Sequence, residues 1–255
     1  MNATKNETMK SKRSNQMYIG SFLKKGNRKL KDYYDQVNET WYRYAQFNLP
    51  AKSTCPYATD GCKKFCYAKR DERFTSPKEN RIKSFQASKD PNFSERLIYT
   101  IETELSSKRF SNAIMILRLH ESGDFYNERY LSDWVKTINC FTSQERNVIF
   151  QAYTKSFRYF IDIAQNKPDL YFQILNAMNR NKFALSLSYD KTMQLKQLAD
   201  LMKVKKYYPK ANIYAAIPET DMNDYKHDTE CDCADCAKCG KCIKTSGQTV
   251  AVAIH

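Results

Sequence analysis

Residues Ala113–Leu119 read AIMILRL and run straight into His120-Glu121-Ser122-Gly123-Asp124-Phe125. A short, almost unbroken apolar run is the pattern of a strand buried on both faces. The polar residues after it end the strand in a loop, where Gly123 allows a tight turn or a close backbone approach. A helix then begins near Asn127, with Leu131, Trp134, Val135 and Ile138 on one stripe. The unit is therefore strand, polar loop, helix.

The same unit recurs on both sides. Upstream, Tyr42–Leu49 (YRYAQFNL) alternates aromatic and polar residues and stops at Pro50. Asp90 and Pro91 then start a helix over Phe93–Ser106, with Leu97, Ile98, Ile101 and Leu105 at helical spacing. Downstream, strands are predicted at Asn147–Tyr153, Phe183–Ser188, Ile213–Ile217 and Thr249–Ile254. Helices fall at Arg158–Gln165, at a second segment through Met178, and at Lys191–Met202. Alternating strands and helices predict a parallel sheet with crossover helices. The expected fold class is α/β: a partial or open (β/α) barrel of about six mainly parallel strands, short of the eight of a complete barrel, with a cysteine-rich, metal-binding C-terminal loop. Such sheets carry their chemistry at the carboxyl ends of the strands. Both Cys55–Cys66 and His120–Asp124 follow strands, so both are expected on that face.

The chain has 255 residues, enough for one large core. Residues 1–15 are polar and basic and read as a disordered arm; residues 16–255 read as a single domain that includes the cysteine-rich segment 231–242. No apolar run approaches the roughly 20 residues that span a bilayer, so no membrane partner is expected. The first residues lack a secretory pattern, which places the protein in the cytoplasm, the host cell cytosol. A formal charge of +14 favours polyanions, nucleic acid first among them. The 18 tyrosines and 14 phenylalanines supply rings that either stack on bases or fill the core.

Nine cysteines in a reducing compartment point to metal before disulfides. Cys55, Cys62 and Cys66 form C-x6-C-x3-C in a loop with Pro56 and Gly61, so three thiolates can converge on one centre and leave one coordination position open. Cys231, Cys233, Cys236, Cys239 and Cys242 form C-x-C-x2-C-x2-C-x2-C, spacing shared by zinc knuckles and iron–sulfur loops. Phe65 beside Cys66 and the absence of a nearby histidine favour an iron–sulfur cluster, 4Fe-4S, one or two; zinc is the alternative. The first group lacks a fourth thiolate and the second has one to spare, so the two groups are expected to lie close together. Cys140, alone at the end of a helical stripe, reads as a small buried hydrophobe. In the loop after the second strand, His120 is a candidate acid, base or ligand. Asp124 is a candidate acceptor for a ligand ammonium or ribose, with Ser122 and Gly123 beside it; Ser122 or Asp124 may equally be read as the cap of the next helix.

The pieces Leu49-Pro50-Ala51, Thr54-Cys55-Pro56, Cys62, Cys66-Tyr67-Ala68, Arg118 to Phe125, Ala152-Tyr153-Thr154-Lys155-Ser156, Cys236, Cys239-Gly240-Lys241-Cys242 and Ala253-Ile254-His255 resemble, in this order, the phage gene product 88 family. The resemblance implies a phage, prophage or plasmid origin and assigns no activity. Within it, Lys155 joins His120 and Asp124 as a catalytic candidate. A broader likeness is to radical S-adenosylmethionine enzymes, which place three cysteines after the first strand of a partial (β/α)6 barrel and Gly-Gly-Glu after the second. Cys55, Cys62, Cys66 and Ser122-Gly123-Asp124 stand in comparable places, with longer cysteine spacing and a different tripeptide. That likeness implies S-adenosylmethionine bound at Ser122, Gly123 and Asp124, and a nucleic-acid-related substrate is the expectation from charge. The competing expectations are a non-catalytic, metal-stabilised nucleic-acid-binding protein and a base-modifying enzyme with structural zinc.

Overall fold

The computed structural model describes residues 23–27, 30–224, 226–231, 240–244 and 246–254. The basic arm at 1–15 and three of the cysteines, Cys233, Cys236 and Cys239, lie outside the described residues. The chain opens with β1 (Lys24–Lys25), β2 (Tyr33–Asp35) and β3 (Thr40–Phe47). Helices α1 (Asp60–Lys64), α2 (Tyr67–Asp71), α3 (Thr75–Ala87) and α4 (Phe93–Leu105) lead to β4 (Ala113–Leu119). Then come α5 (Glu128–Ser143), β5 (Val148–Thr154), α6 (Phe157–Asn166), α7 (Pro168–Asn179), β6 (Phe183–Asp190), α8 (Leu195–Tyr207), β7 (Asn212–Pro218), β8 (Thr229–Glu230) and β9 (Thr249–Ile254).

One sheet holds all these strands in the order β1-β3-β4-β5-β6-β7-β9-β8, with β2 paired to β3. From β3 through β7 to β9 every neighbour is parallel, which matches the six strands expected. Only β1 and β2 are antiparallel to their partner, β3. Among the described residues the two ends of the sheet do not pair, so it is open, and no barrel closes.

Each helical connection steps the same way along the sheet, and right-handed crossovers then place the helices on one face. The register shows the result. Ala45, Leu117, Phe150 and Phe183 align across β3 to β6, as do Phe47, Leu119, Ala152 and Leu185. These residues share a single apolar core with Phe93 and Leu97 of α4, Trp134 and Ile138 of α5, Phe160 of α6, Ile174 of α7 and Val204 of α8. Trp134 is fully buried and meets Phe47 edge-on at 5.3 Å between ring centroids. Each such side chain contributes about 1.5–3 kcal/mol by leaving water.

The opposite face, here the inner face, carries the alternate residues. Midway along β3 and β4, Tyr44 and Ile116 join Leu30 in a small apolar plug, with Tyr33, Tyr42 and Ile243 packed on it. Further along each strand the inner face turns polar: Gln46, Arg118 and Gln151 stand side by side in register.

Helix α5 starts one residue after its cap. The Tyr130 N–H donates to Asn127 Oδ1 at 2.8 Å, so Asn127 fills the capping place and neither Ser122 nor Asp124 does. Asn127→Ala is expected to lower the unfolding free energy by about 1 kcal/mol, read as a shift of the urea midpoint at constant slope. An unchanged midpoint would mean that the first turn of α5 finds its acceptors elsewhere.

Candidate functional site

The site grows from the carboxyl ends of four neighbouring strands. After β3 the chain turns at Pro50, and the Thr54 hydroxyl donates back to Pro50 O at 2.7 Å. Cys55 follows, its N–H donating to Lys52 O. Thr59 caps α1 by accepting from the Cys62 N–H at 3.1 Å, and Cys66 stands at the N-cap position of α2. Each of Cys55, Cys62 and Cys66 is half-buried.

This loop is pinned to β6, far away in sequence. The Thr59 hydroxyl donates to Asp190 Oδ2 at 2.5 Å, and the Gly61 N–H donates to Thr192 Oγ1 at 2.8 Å. Thr192 in turn donates its own N–H and hydroxyl to Asp190 Oδ1. On its other side the loop is held by Arg81, which donates to Ala68 O at 2.7 Å and pairs with Glu72, itself the acceptor for the Ala51 N–H.

The loop after β4 lies against the cysteine loop. Gly123 has φ +90°, and a Cβ there would stand 2.6 Å from Leu49 Cβ and 2.7 Å from Thr54 Oγ1. Only glycine fits that contact. The Asp124 N–H donates to Thr54 O at 3.1 Å, which ties the two loops together. The Asp124 carboxylate is buried and accepts from Thr154 Oγ1 at 2.7 Å, from the Lys155 N–H at 2.8 Å and from its own neighbour, the Phe125 N–H. Burial nonetheless raises its pKa, against the pull of those donors and of the Lys155 charge. Lys155 Nζ pairs with Asp190 Oδ2 at 3.3 Å. The loops after β3, β4, β5 and β6 are thus joined through Thr59, Asp124, Lys155 and Asp190.

The thiols respond to this setting. Burial pushes Cys55 up to about 12, and the charges of Asp124, Cys62 and Cys66 push the same way. Cys62 is also raised by burial, while Lys155 pulls it down and Cys66 and Asp190 push it up. Cys55 and Cys62 are therefore held as neutral thiols at ordinary pH, and a cation bound beside them would favour their ionisation. Among the described residues, no three His, Cys, Asp or Glu side chains are already set around one point as metal ligands. Cys55, Cys62 and Cys66 are neighbours without forming a closed ligand set.

His120 is placed differently. With φ +63°, it turns its ring into the core, edge-on to Phe125 at 4.7 Å, with Nε2 in a 2.8 Å hydrogen bond with the Tyr130 hydroxyl. Burial, aided by the Arg118 charge, lowers its pKa to about 3, so the ring is neutral at ordinary pH. Ser122 is buried with its Oγ unpartnered, and its N–H donates to Asn48 Oδ1. Phe65 is 64% exposed and covers no thiol group; its ring lies under the Lys64 ammonium. Cys140 is half-buried at the end of α5.

In the second cysteine group, Cys231 is buried beside β9, its N–H donating to Ala251 O at 2.8 Å. Cys242 lies in a short 3-10 turn, Lys241–Ile243, and its charge acts on Tyr153 of the inner face. The Arg118 charge is influenced by both Cys242 and Tyr67, the residue after Cys66.

Sequence reasoning missed Thr59, Asp190 and Thr192. Asp190 carried a usable signal, as a carboxylate at the end of a parallel strand, the position that singled out Asp124.

No helix among the described residues is long and apolar enough to cross a membrane. No curated protein and no solved structure matches the chain. The family model described as gene product 88 matches residues 21–245, which span the cysteine loop, the Arg118–Phe125 loop and the whole of the second cysteine group. The chain therefore belongs to the phage gene product 88 family.

Proposed function

We propose that this protein binds an iron–sulfur cluster through Cys55, Cys62 and Cys66 and works as a radical S-adenosylmethionine-type enzyme. The observation that carries the reading is the juxtaposition at one pole of an open parallel sheet. Three half-buried thiols follow the first parallel strand, and a buried Asp124 behind a close-packed Gly123 follows the second. A sheet whose six parallel strands follow chain order has the connectivity of a partial (β/α)6 barrel. The donor set suits iron, since thiolates that burial and repulsion disfavour are stabilised by the cluster's positive ions. When bound, such a cluster supplies one electron for the reductive cleavage of S-adenosylmethionine. The chain's own share is to hold the three-cysteine loop by Thr59 and Asp190, to fix Gly123 against Leu49 so that backbone can approach a ligand, and to place Ser122 and Asp124 as polar contacts for the cosubstrate. Lys155 holds positive charge next to the thiols.

An anionic, nucleic-acid-related substrate is favoured by the cleft of about 300 Å³ beside the loop, where Lys63, Lys155, Arg158 and Lys196 outnumber Asp60 and Asp200. The net charge of +14 acts the same way at longer range.

Anaerobically purified protein is expected to absorb broadly in the visible, to contain iron with acid-labile sulfide, and to release 5′-deoxyadenosine on reduction with S-adenosylmethionine. A colourless protein with stoichiometric zinc would remove the iron–sulfur reading. A fully loaded cluster that yields no 5′-deoxyadenosine would leave the cluster and remove the radical reaction.

A further inference from the structure

The middle of the inner face is a row of buried polar groups without partners. Gln46, Arg118, Gln151 and Ala184 align across β3, β4, β5 and β6, and Ser186 stands two residues further along β6. Gln46, Gln151 and Ser186 are each at most 3% exposed. Four of their atoms and Arg118's make no hydrogen bond: Gln46 Nε2, Arg118 Nε, Gln151 Oε1 and Ser186 Oγ. One end of each carboxamide is thus unpaired, although Gln46 Oε1 accepts from Asn48 Nδ2 and Gln151 Nε2 reaches the Tyr153 hydroxyl at 3.4 Å.

Arg118 gives this row its sign. Its guanidinium lies 3.9 Å from the centroid of the Tyr153 ring, which supports the cation without neutralising it. Glu121 is the acid whose charge it feels, but the two form no ion pair among the described residues. A half-buried guanidinium with no acceptor, its Nε out of reach of water, and several unpaired buried dipoles cost free energy. They are what an anion-binding site looks like before its ligand arrives. The apolar plug of Leu30, Tyr44 and Ile116 lies on one side of the row, the cysteine loop lies at the carboxyl ends, and Ala184 and Ser186 contribute only small side chains to it.

We propose that this part of the inner face binds a small organic anion, with its carboxylate or phosphoryl head on Arg118 and Gln46 and an adjacent hydroxyl or amine on Gln151 and Ser186. The site is separate from the three cysteines and needs no metal. Bidentate recognition by arginine, flanked by amide and hydroxyl groups, would select for a polar group next to the charge and against a simple fatty acid.

Calorimetric titration of the full chain with inorganic phosphate, adenosine 5′-monophosphate and L-serine tests this and separates phosphoryl from carboxylate heads. At least one is expected to bind saturably, and Arg118→Gln is expected to weaken that binding by about tenfold or more. Gln151→Leu and Ser186→Ala are second variants. They remove the unpaired Gln151 Oε1 and Ser186 Oγ at the cost of one long hydrogen bond to Tyr153, so binding should weaken while the melting temperature changes little. The variant with Cys55, Cys62 and Cys66 all replaced by alanine should keep the anion affinity, which separates this site from the fate of the cluster reading. No saturable heat from any of the three by about 10 mM, or equal affinity in all the inner-face variants, would overturn the proposal and leave the row to ordered water.

Discussion

Protein in which Cys55, Cys62 and Cys66 are all alanine is expected to be purified without iron, without sulfide and without visible absorption. The three thiols sit together in a loop fastened by Thr59 to Asp190 and by Asp124 N–H to Thr54 O. Those anchors do not involve sulfur, so the loop should keep its course and only the ligands should go. The same total loss is expected when Cys236, Cys239 and Cys242 are replaced together. The charges of Cys242 and of Tyr67, at the start of α2, both act on Arg118, which motivates this expectation. A count of thiolates also favours sharing, since three ligands leave one corner of a four-iron cluster open. Iron and sulfide assays with visible spectra on both variants give the answer. A full first cluster in the second variant would mean two independent sites.

Lys155→Met is expected to destabilise the fold by about 3 kcal/mol, because it strips the counter-ion from a buried carboxylate. Lys155 and Asp190 side chains are each 11% exposed, with Nζ 3.3 Å from Oδ2. Burial opposes ionisation of Asp190, but donors from Thr192 and Thr59 and the Lys155 charge outweigh it and hold the pKa below its ordinary value of 3.8. A depressed folded pKa gives stability that is complete above the unfolded value and is lost as pH falls through the folded one. With methionine at 155 the folded value should move up, so acid unfolding should begin at higher pH as well as from a lower plateau. Urea denaturation from neutral to acidic pH measures both. Lys155→Arg should recover most of the loss; a methionine variant within about 0.5 kcal/mol of the parent would show that Thr59 and Thr192 suffice.

Much of this architecture could be read from local pattern. β4 and β9 fall where the apolar runs predict them; β3, β5 and β7 differ by one or two residues at each end, and β6 runs two residues further at its carboxyl end. The three helices between Asp60 and Ala87 were invisible for a physical reason. Helix α3 buries Arg81, Ser84 and Ala87, so it has no apolar stripe, and it is held by ion pairs of Arg81 to Glu72 and Asp71. Strands of two or three residues such as β1, β2 and β8 carry too little periodicity to register. At the site, the Cys55–Cys66 loop and the Ser122-Gly123-Asp124 turn were legible because a strand end, a glycine and clustered thiols leave marks in sequence. Asp190 left only its place at a strand end; its pairing with Thr59 left no mark, since the two are 131 residues apart and only the crossovers bring them together. His120 looked like a member of the polar loop, yet its left-handed backbone turns the ring inward.

The strand order also imposes an order of assembly. From β3 to β7 each new parallel strand pairs with the one made before it, so the sheet can grow as the chain is synthesised, closing one crossover at a time. β8 departs from that scheme. Its sheet partner among the described residues is β9, which itself docks on β7, so β8 waits unpaired until the last strand is in place. Cys231 follows β8 directly and gives its N–H to Ala251 O of β9. Its thiol is consequently among the last to be fixed by pairing during folding, and stays open that much longer to capture by metal or loss to oxidant.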